Sequence, residues 1–228
     1  MTPIAEKARR TGPPKAVARP AEIVREYGPY PGADKVAGVS HDGERVWIAG
    51  GAQLIAFDPK TGAVARTLPV AADAGTAFDG KHLWQIAETR IDKIDPATGA
   101  VVASIPAPGT GNSGLAWAEG SLWVGQHRDR KIHRIDPKTG AVLRTIESNR
   151  FVTGVTWVDG ELWHGTWEGD ESEIRRVDAE SGAVLDRLEM PQGTFVSGLE
   201  SDGADLFYAG GGGSGKVRAV RRSKTPRS

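Results

Sequence analysis

The 228 residues carry 29 Lys+Arg against 29 Asp+Glu, and they include 30 glycines, 14 prolines and no cysteine. The missing cysteines exclude disulfides and thiolate metal sites, and the balanced charge argues against a nucleic-acid binder, which shows a basic excess. A hydrophobic fraction of 39% with so many turn formers suits a turn-rich β protein with one sizeable core.

Residues 1–20 hold five basic residues and several prolines without hydrophobic periodicity, which predicts a mobile, disordered basic tail. The segment lacks the apolar region of a secretory signal, and no run reaches the roughly 20 apolar residues that span a bilayer. The expectation is a cytoplasmic, monomeric protein with no membrane or nucleic-acid partner.

From residue 21 a pattern recurs about every 40 residues. Aligned on an aromatic position, Trp47, Trp84, Trp123, Trp163 and Phe207 mark five copies. Before each lies a turn: Asp42-Gly43, Asp79-Gly80, Glu119-Gly120, Asp159-Gly160 and Asp202-Gly203. Such pairs supply the positive φ of a tight hairpin. A second turn follows, of the form Asp58-Pro59-Lys60-Thr61-Gly62, repeated from Asp95 and Asp136 and weakened at Asp178. After it comes Ala-Val and a short β-branched run.

Four short strands in about 40 residues are the signature of a β-propeller blade. Five inner strands are expected, near Val36, Gly75, Asn112, Val152 and Val196. The fifth copy ends after its third strand, at Lys216 to Val220. The segment Ala21 to Tyr27 resembles the missing fourth strand, and pairing it there closes a ring without exposed edges. The predicted fold is an all-β, five-bladed propeller over residues 21–222, with a flexible tail at 223–228. The repeated aromatics are expected to pack blade against blade.

Function in such a ring gathers where copies differ, on the face made by the connections between second and third strands and between successive blades. That face predicts a polar small-ligand pocket. Its candidates are Glu88, Arg90, Gln126, His127, Arg128, Trp167 and Glu168 from the first set, and Asp73, Asn112, Arg150 and Gln192 from the second. His164 follows Trp163 on a strand and must point to the other side, toward either the channel or the sheet interior. His127 suits general acid–base work, with an unperturbed pKa of about 6.5.

The five histidines lack HxH or HExxH spacing, so no metal site or cofactor is indicated beyond a weak case for Ca²⁺ or Mg²⁺ at the channel. Gly210 to Lys216 approaches a phosphate-binding loop. Val217 stands where Ser or Thr is needed, and the stretch joins two strands rather than opening a helix.

Several segments resemble a known family. Phe151-Val152-Thr153-Gly154-Val155, Leu162-Trp163-His164-Gly165-Thr166 and Glu173 to Asp178 follow the frame of the plant-type glutaminyl-peptide cyclotransferases. These are five-bladed members of the wider class of YVTN/PQQ-like bacterial propellers, and the likeness spans about residues 21–220. It implies cyclisation of N-terminal glutamine to pyroglutamate with release of ammonia, on a peptide N-terminus or small molecule. In this frame the family's acid–base glutamate falls on His164, a glutamine falls on Thr153 and a tryptophan falls on His127. His164, His127 and Glu88 are therefore the catalytic candidates, with Trp167 shaping the pocket. Two other readings are a non-catalytic binding propeller using the same face and a streptogramin-lyase-like eliminase, whose propeller has seven blades.

Overall fold

The computed structural model describes residues 16–222. Two strands, β1 (Val17–Pro20) and β2 (Ile23–Tyr27), precede five blades. Blade 1 is β3 (Gly38–His41), β4 (Val46–Ala49), β5 (Leu54–Phe57) and β6 (Val64–Leu68). Blade 2 is β7 (Thr76–Phe78), β8 (Leu83–Ala87), β9 (Arg90–Ile94) and β10 (Val101–Pro106). Blade 3 is β11 (Asn112–Ala118), β12 (Ser121–Gln126), β13 (Lys131–Ile135) and β14 (Val142–Glu147). Blade 4 is β15 (Val152–Val158), β16 (Glu161–Glu168), β17 (Glu171–Val177) and β18 (Val184–Glu189). Blade 5 is β19 (Leu199–Ser201), β20 (Leu206–Gly210) and β21 (Val217–Arg221), completed by β2. The strand from the other end of the chain thus closes the ring, with Tyr27 opposite Val217 and Ile23 opposite Val220.

The expected tail needs one correction. Val17–Pro20 adds to blade 4 as a fifth strand, parallel to β18, with Arg19 ion-paired to Asp186 at 2.8 Å. Its backbone satisfies an edge that would otherwise be open. Residues 1–15 and 223–228, the rest of the expected tails, lie outside the described residues.

Glycine sets the inner radius. Each innermost strand enters through one glycine: Gly38, Gly75, Gly114, Gly154 and Gly198. A Cβ on Gly38 would meet the Ala74 carbonyl at 2.4 Å, one on Gly75 the Leu115 nitrogen at 2.4 Å, and one on Gly114 the Thr153 carbonyl at 2.5 Å. On Gly154 it would meet the Leu199 nitrogen at 2.2 Å, and on Gly198 the Val39 nitrogen at 2.7 Å. Each contact is with the next blade, and the fifth returns to the first. Backbone packs directly on backbone around the whole axis, which no side chain permits.

Farther out, aromatic rings join the blades. Trp84 stacks on Trp117 at 6.0 Å and Trp123 on Trp157 at 5.7 Å between centroids. Stacked pairs of this kind contribute about 1 kcal/mol beyond the area they bury. In blades 1 and 2 the turn aspartate also fixes the indole: Trp47 Nε1 donates to Asp42 Oδ2 at 2.7 Å and Trp84 Nε1 to Asp79 Oδ2 at 2.9 Å.

Blade 5 departs from the sequence alignment. Register pairs Glu200 with Tyr208, as Ala116 pairs with Trp123 and Thr156 with Trp163. Tyr208, not Phe207, therefore holds the tryptophan position. The turn before it is one residue longer, closing from the Asp202 nitrogen to the Leu206 carbonyl, where blade 1 closes from Asp42 to Arg45. Counting five residues from the aspartate lands on Phe207, but the inserted residue moves the equivalent position to Tyr208. Its ring stacks on His41 of blade 1, 5.8 Å away.

Candidate functional site

The residue before each entry glycine forms the floor of a cavity of about 430 Å³ at one mouth of the ring. Going round, these are Ala37, Ala74, Ser113, Thr153 and Ser197. Three adjacent blades contribute hydroxyls and two contribute methyl groups. Where a hydroxyl stands, the facing strand carries glycine: Ser113 Oγ lies 3.1 Å from a Cβ position on Gly125, Thr153 Oγ1 2.6 Å from one on Gly165, and Ser197 Oγ 3.0 Å from one on Gly210. The glycines make room for the arc.

Two of the hydroxyls are spent on the seams. Ser113 donates to the Val152 carbonyl at 2.8 Å, and Ser197 donates to the Val36 carbonyl. Thr153 is 4% exposed and its Oγ1 has no hydrogen-bond partner. Asn112 adds a second unpaired atom. Its Nδ2 donates to the Gly109 carbonyl at 3.1 Å, while its buried Oδ1 is unpartnered. A buried polar group without a partner costs about 1–3 kcal/mol, so the pair is a standing demand for a polar ligand or water.

The wall carries His127, Trp167, Asp73 and Lys35. His127 is half-buried, with its ring 4.8 Å from Phe151 and its backbone nitrogen donating to the Gly111 carbonyl at 2.9 Å. Burial, assisted by the Arg128 charge, holds its pKa below the usual 6.5, so it is a neutral base at pH 7. Trp167 is 37% exposed, the most open aromatic of the cavity. Phe195 packs against it at 4.6 Å and its Nε1 donates to the Gly169 carbonyl at 2.9 Å, which fixes the ring.

Thus four sequence candidates meet here: His127, Trp167, Asp73 and Asn112. The others lie elsewhere. His164 is fully buried in β16, with Nδ1 3.0 Å from the Gly165 carbonyl and Nε2 unpartnered. Burial pushes its pKa down to about 4, so it stays neutral. Gln126 is buried and structural: its Oε1 meets His133 Nε2 at 2.9 Å and its Nε2 holds the Pro108 carbonyl. Glu168 ties blades 3 and 4 together through Arg130 at 3.2 Å, Arg150 at 3.8 Å and the Phe151 nitrogen at 3.0 Å. Arg150 is committed to this network and to Glu171.

Glu88 is exposed in a turn with φ 56°, and Arg90 beside it pairs with Asp92 at 3.0 Å. Arg128 is exposed, and Gln192 borders a separate acidic hollow with Asp170, Glu171 and Glu189. The sequence candidates omitted the hydroxyl arc. It is legible only once the chain is aligned on the entry glycines rather than on the tryptophans. Among the described residues no group of three or more His, Asp or Glu is placed to hold a metal ion, and no helix is long and apolar enough to cross a membrane.

Residues 146–210 match the family model described as glutamine cyclotransferase. Over that segment the chain is similar to the glutamine cyclotransferases. The crystal structure of Myxococcus xanthus glutaminyl cyclase superposes with a TM-score of 0.75 at 15% identity, covering 91% of this chain and 98% of that one. A chain of the mitotic checkpoint complex superposes with a TM-score of 0.51 at 15% identity, covering 83% of this chain and 78% of that one. At these identities the likeness is one of fold. No curated protein sequence matches the chain. The matched segment contains Thr153, Trp167 and Ser197, which border the cavity, and the fully buried His164, which does not.

Proposed function

We propose that the chain cyclises N-terminal glutamine at the central mouth. The observation that carries this reading is a neutral, half-buried His127 in a cavity whose buried Thr153 hydroxyl and Asn112 carbonyl oxygen have no partners. The likeness to glutaminyl cyclase supports it. In the reaction the α-amine attacks the side-chain amide carbon, a C–N bond forms, and the C–NH₂ bond breaks to release ammonia. His127 takes the proton from the attacking amine and returns it to the departing nitrogen, a role worth about 10²–10⁴-fold in rate. Thr153 donates its hydroxyl to the developing oxyanion, Asn112 accepts from the amide, and Trp167 covers the apolar part of the chain end. The neutral, buried His164 positions β16 and takes no proton in this scheme.

Mass spectrometry on glutamine-initiated peptides tests the reading. Loss of one ammonia faster than the uncatalysed rate, abolished in His127→Gln, is the expected result. Absence of ammonia loss with folded protein overturns it. One observation favours a second reading, a non-catalytic binder of peptide ends: His164, at the family's acid–base position, is sealed from the cavity. That reading expects stabilisation by glutaminyl peptides without turnover.

A further inference from the structure

The loop between blades 2 and 3 carries two working parts of the central mouth. Asn112 presents its unpartnered Oδ1 there, and the Gly111 carbonyl holds the His127 nitrogen at 2.9 Å. Two glycines with positive φ, Gly109 at 75° and Gly111 at 71°, let residues 108–112 turn this tightly. Glycine gives such a loop freedom, not rigidity.

One buried amide supplies the rigidity. Gln126 is 5% exposed and is the ladder partner of Asn112. Its Nε2 donates to the Pro108 carbonyl and, at 3.3 Å, to the Thr110 carbonyl. A Cβ on Gly109 would lie 3.3 Å from the same nitrogen, so the amide sits directly beneath the loop. Three residues beyond the aromatic position the other blades carry Gly50, Ala87, Thr166 and Gly211, none of which has an amide side chain to offer.

The two carbonyls accept only, and this dictates which way the amide points. With Nε2 toward Pro108 and Thr110, Oε1 faces His133 Nε2 at 2.9 Å, and that nitrogen must carry the ring proton. His133 Nδ1 is then the acceptor for the Thr145 hydroxyl at 2.8 Å. Burial holds the His133 pKa below the usual 6.5, so the ring is neutral at pH 7. Blade 1 has Ile55 at this position, so packing alone does not call for an imidazole.

We propose that Gln126, oriented by His133, is a positioning residue of the central mouth, setting Asn112 and His127 through the loop 108–112. Gln126 itself touches no substrate. Its effect on rate rests on the cyclisation reading, and its effect on His127 rests on the loop geometry alone.

The test is Gln126→Met, which keeps length and apolar bulk and removes the donor beneath the loop. The His127 ring is titrated by NMR, and turnover of a glutaminyl peptide is measured on the same protein. The His127 pKa should rise toward 6.5 as the loop lifts and water reaches the ring, while Arg128 and Glu168, the charges acting on it, are unchanged. kcat should fall about 10²-fold with KM nearly constant, the scale of a misplacement of about 1 Å. Ser121→Ala is the control. Ser121 is buried at the far end of the same strand, where its Oγ accepts from Arg134 Nε at 3.0 Å, so the variant loses a hydrogen bond without touching the loop. It should lower the melting temperature and leave the titration and kcat at parent values. His133→Leu should move both readouts in the same direction as Gln126→Met but less far, and it decides the matter if Gln126→Met does not fold. An unchanged titration or kcat in the folded variant, or an equal shift in Ser121→Ala, overturns the positioning role. A parent protein that releases no ammonia overturns cyclisation instead, and the His127 titration then judges Gln126 by itself.

Discussion

Ser113 Oγ donates to the Val152 carbonyl across 2.8 Å, so a side chain of blade 3 holds the entry strand of blade 4. Thr153 has the equivalent place one blade on, and its hydroxyl holds nothing. The two positions should therefore respond differently to loss of oxygen. Ser113→Ala should cost about 1 kcal/mol in chemical denaturation. Thr153→Val should leave stability unchanged or slightly raised, yet lower kcat/KM for a glutaminyl peptide about 10²–10³-fold, the range of a lost oxyanion donor. Equal effects of both variants on stability and activity would remove Thr153 from the chemistry.

The pH–rate profile reports the base. His127 works as the free imidazole, and burial places its pKa below 6.5. Protonation of the substrate's α-amine lowers the rate below about pH 8, and a second fall should follow at more acid pH as His127 gains its proton. His127→Gln should lose about 10²–10⁴-fold in rate and, with it, that acid limb, while its denaturation curve stays near the parent's.

Stability has its own pH dependence, set by the half-buried Glu200 and the fully buried His164, which act with opposite sign. Glu200 accepts from the Thr156 hydroxyl and the Ser201 nitrogen, and burial lifts its pKa from 4.5 to about 7. The folded state then holds a proton that the unfolded state releases, so this contribution is complete below pH 4.5 and is lost as pH rises toward 7. At about 1.4 kcal/mol per pKa unit, the loss is about 3–4 kcal/mol. His164 runs the other way. Its folded pKa near 4 lies below 6.5, so its contribution is present above 6.5 and lost as pH falls toward 4. Between these limits the two slopes oppose. Glu200→Gln should stabilise the protein at pH 8, change little at pH 4.5, and unmask a stability that climbs with pH across the histidine window. Urea midpoints at pH 4.5, 6 and 8 check this.

Gly154→Ala should be among the costliest small substitutions in the chain. Its Cβ would lie 2.2 Å from the Leu199 nitrogen and 2.5 Å from the Gly198 carbonyl carbon, both of them backbone. Overpacking of this kind costs about 1–3 kcal/mol. Gly213→Ala, with nothing within 4 Å of the new carbon, is the control and should be neutral in thermal denaturation.

The ring of five blades and its closure by β2 were legible because turn chemistry repeats in the sequence: Asp58, Asp95 and Asp136 open turns that end in glycines with φ between 74° and 80°. The register of blade 5 was not legible, since one extra residue in the Asp202 turn is invisible to counting and shows only as a ladder partner. Val17–Pro20 was also missed. Parallel pairing to β18 is a long-range event with no local pattern, and all four residues are exposed. At the mouth, His127 and Trp167 stood out as residues unlike their counterparts in other blades. Gln126 and Glu168 stood out equally, yet both are consumed by structure, and only geometry separates a free side chain from a spent one.

The glycine waist decides what kind of ligand the mouth can take. Five backbones in direct contact, at roughly the 4.5–5 Å of neighbouring strands, enclose a ring only about 4 Å in radius before atomic size is subtracted. Water fits there; a polypeptide does not. The cavity above Thr153 is thus a blind cup, and nothing threads through it. A chain can present a terminus to the floor but never its middle, and whatever leaves must back out past Trp167. On the proposed reading, selection for ends over interiors begins at the axis, before any side chain recognises a chemical group.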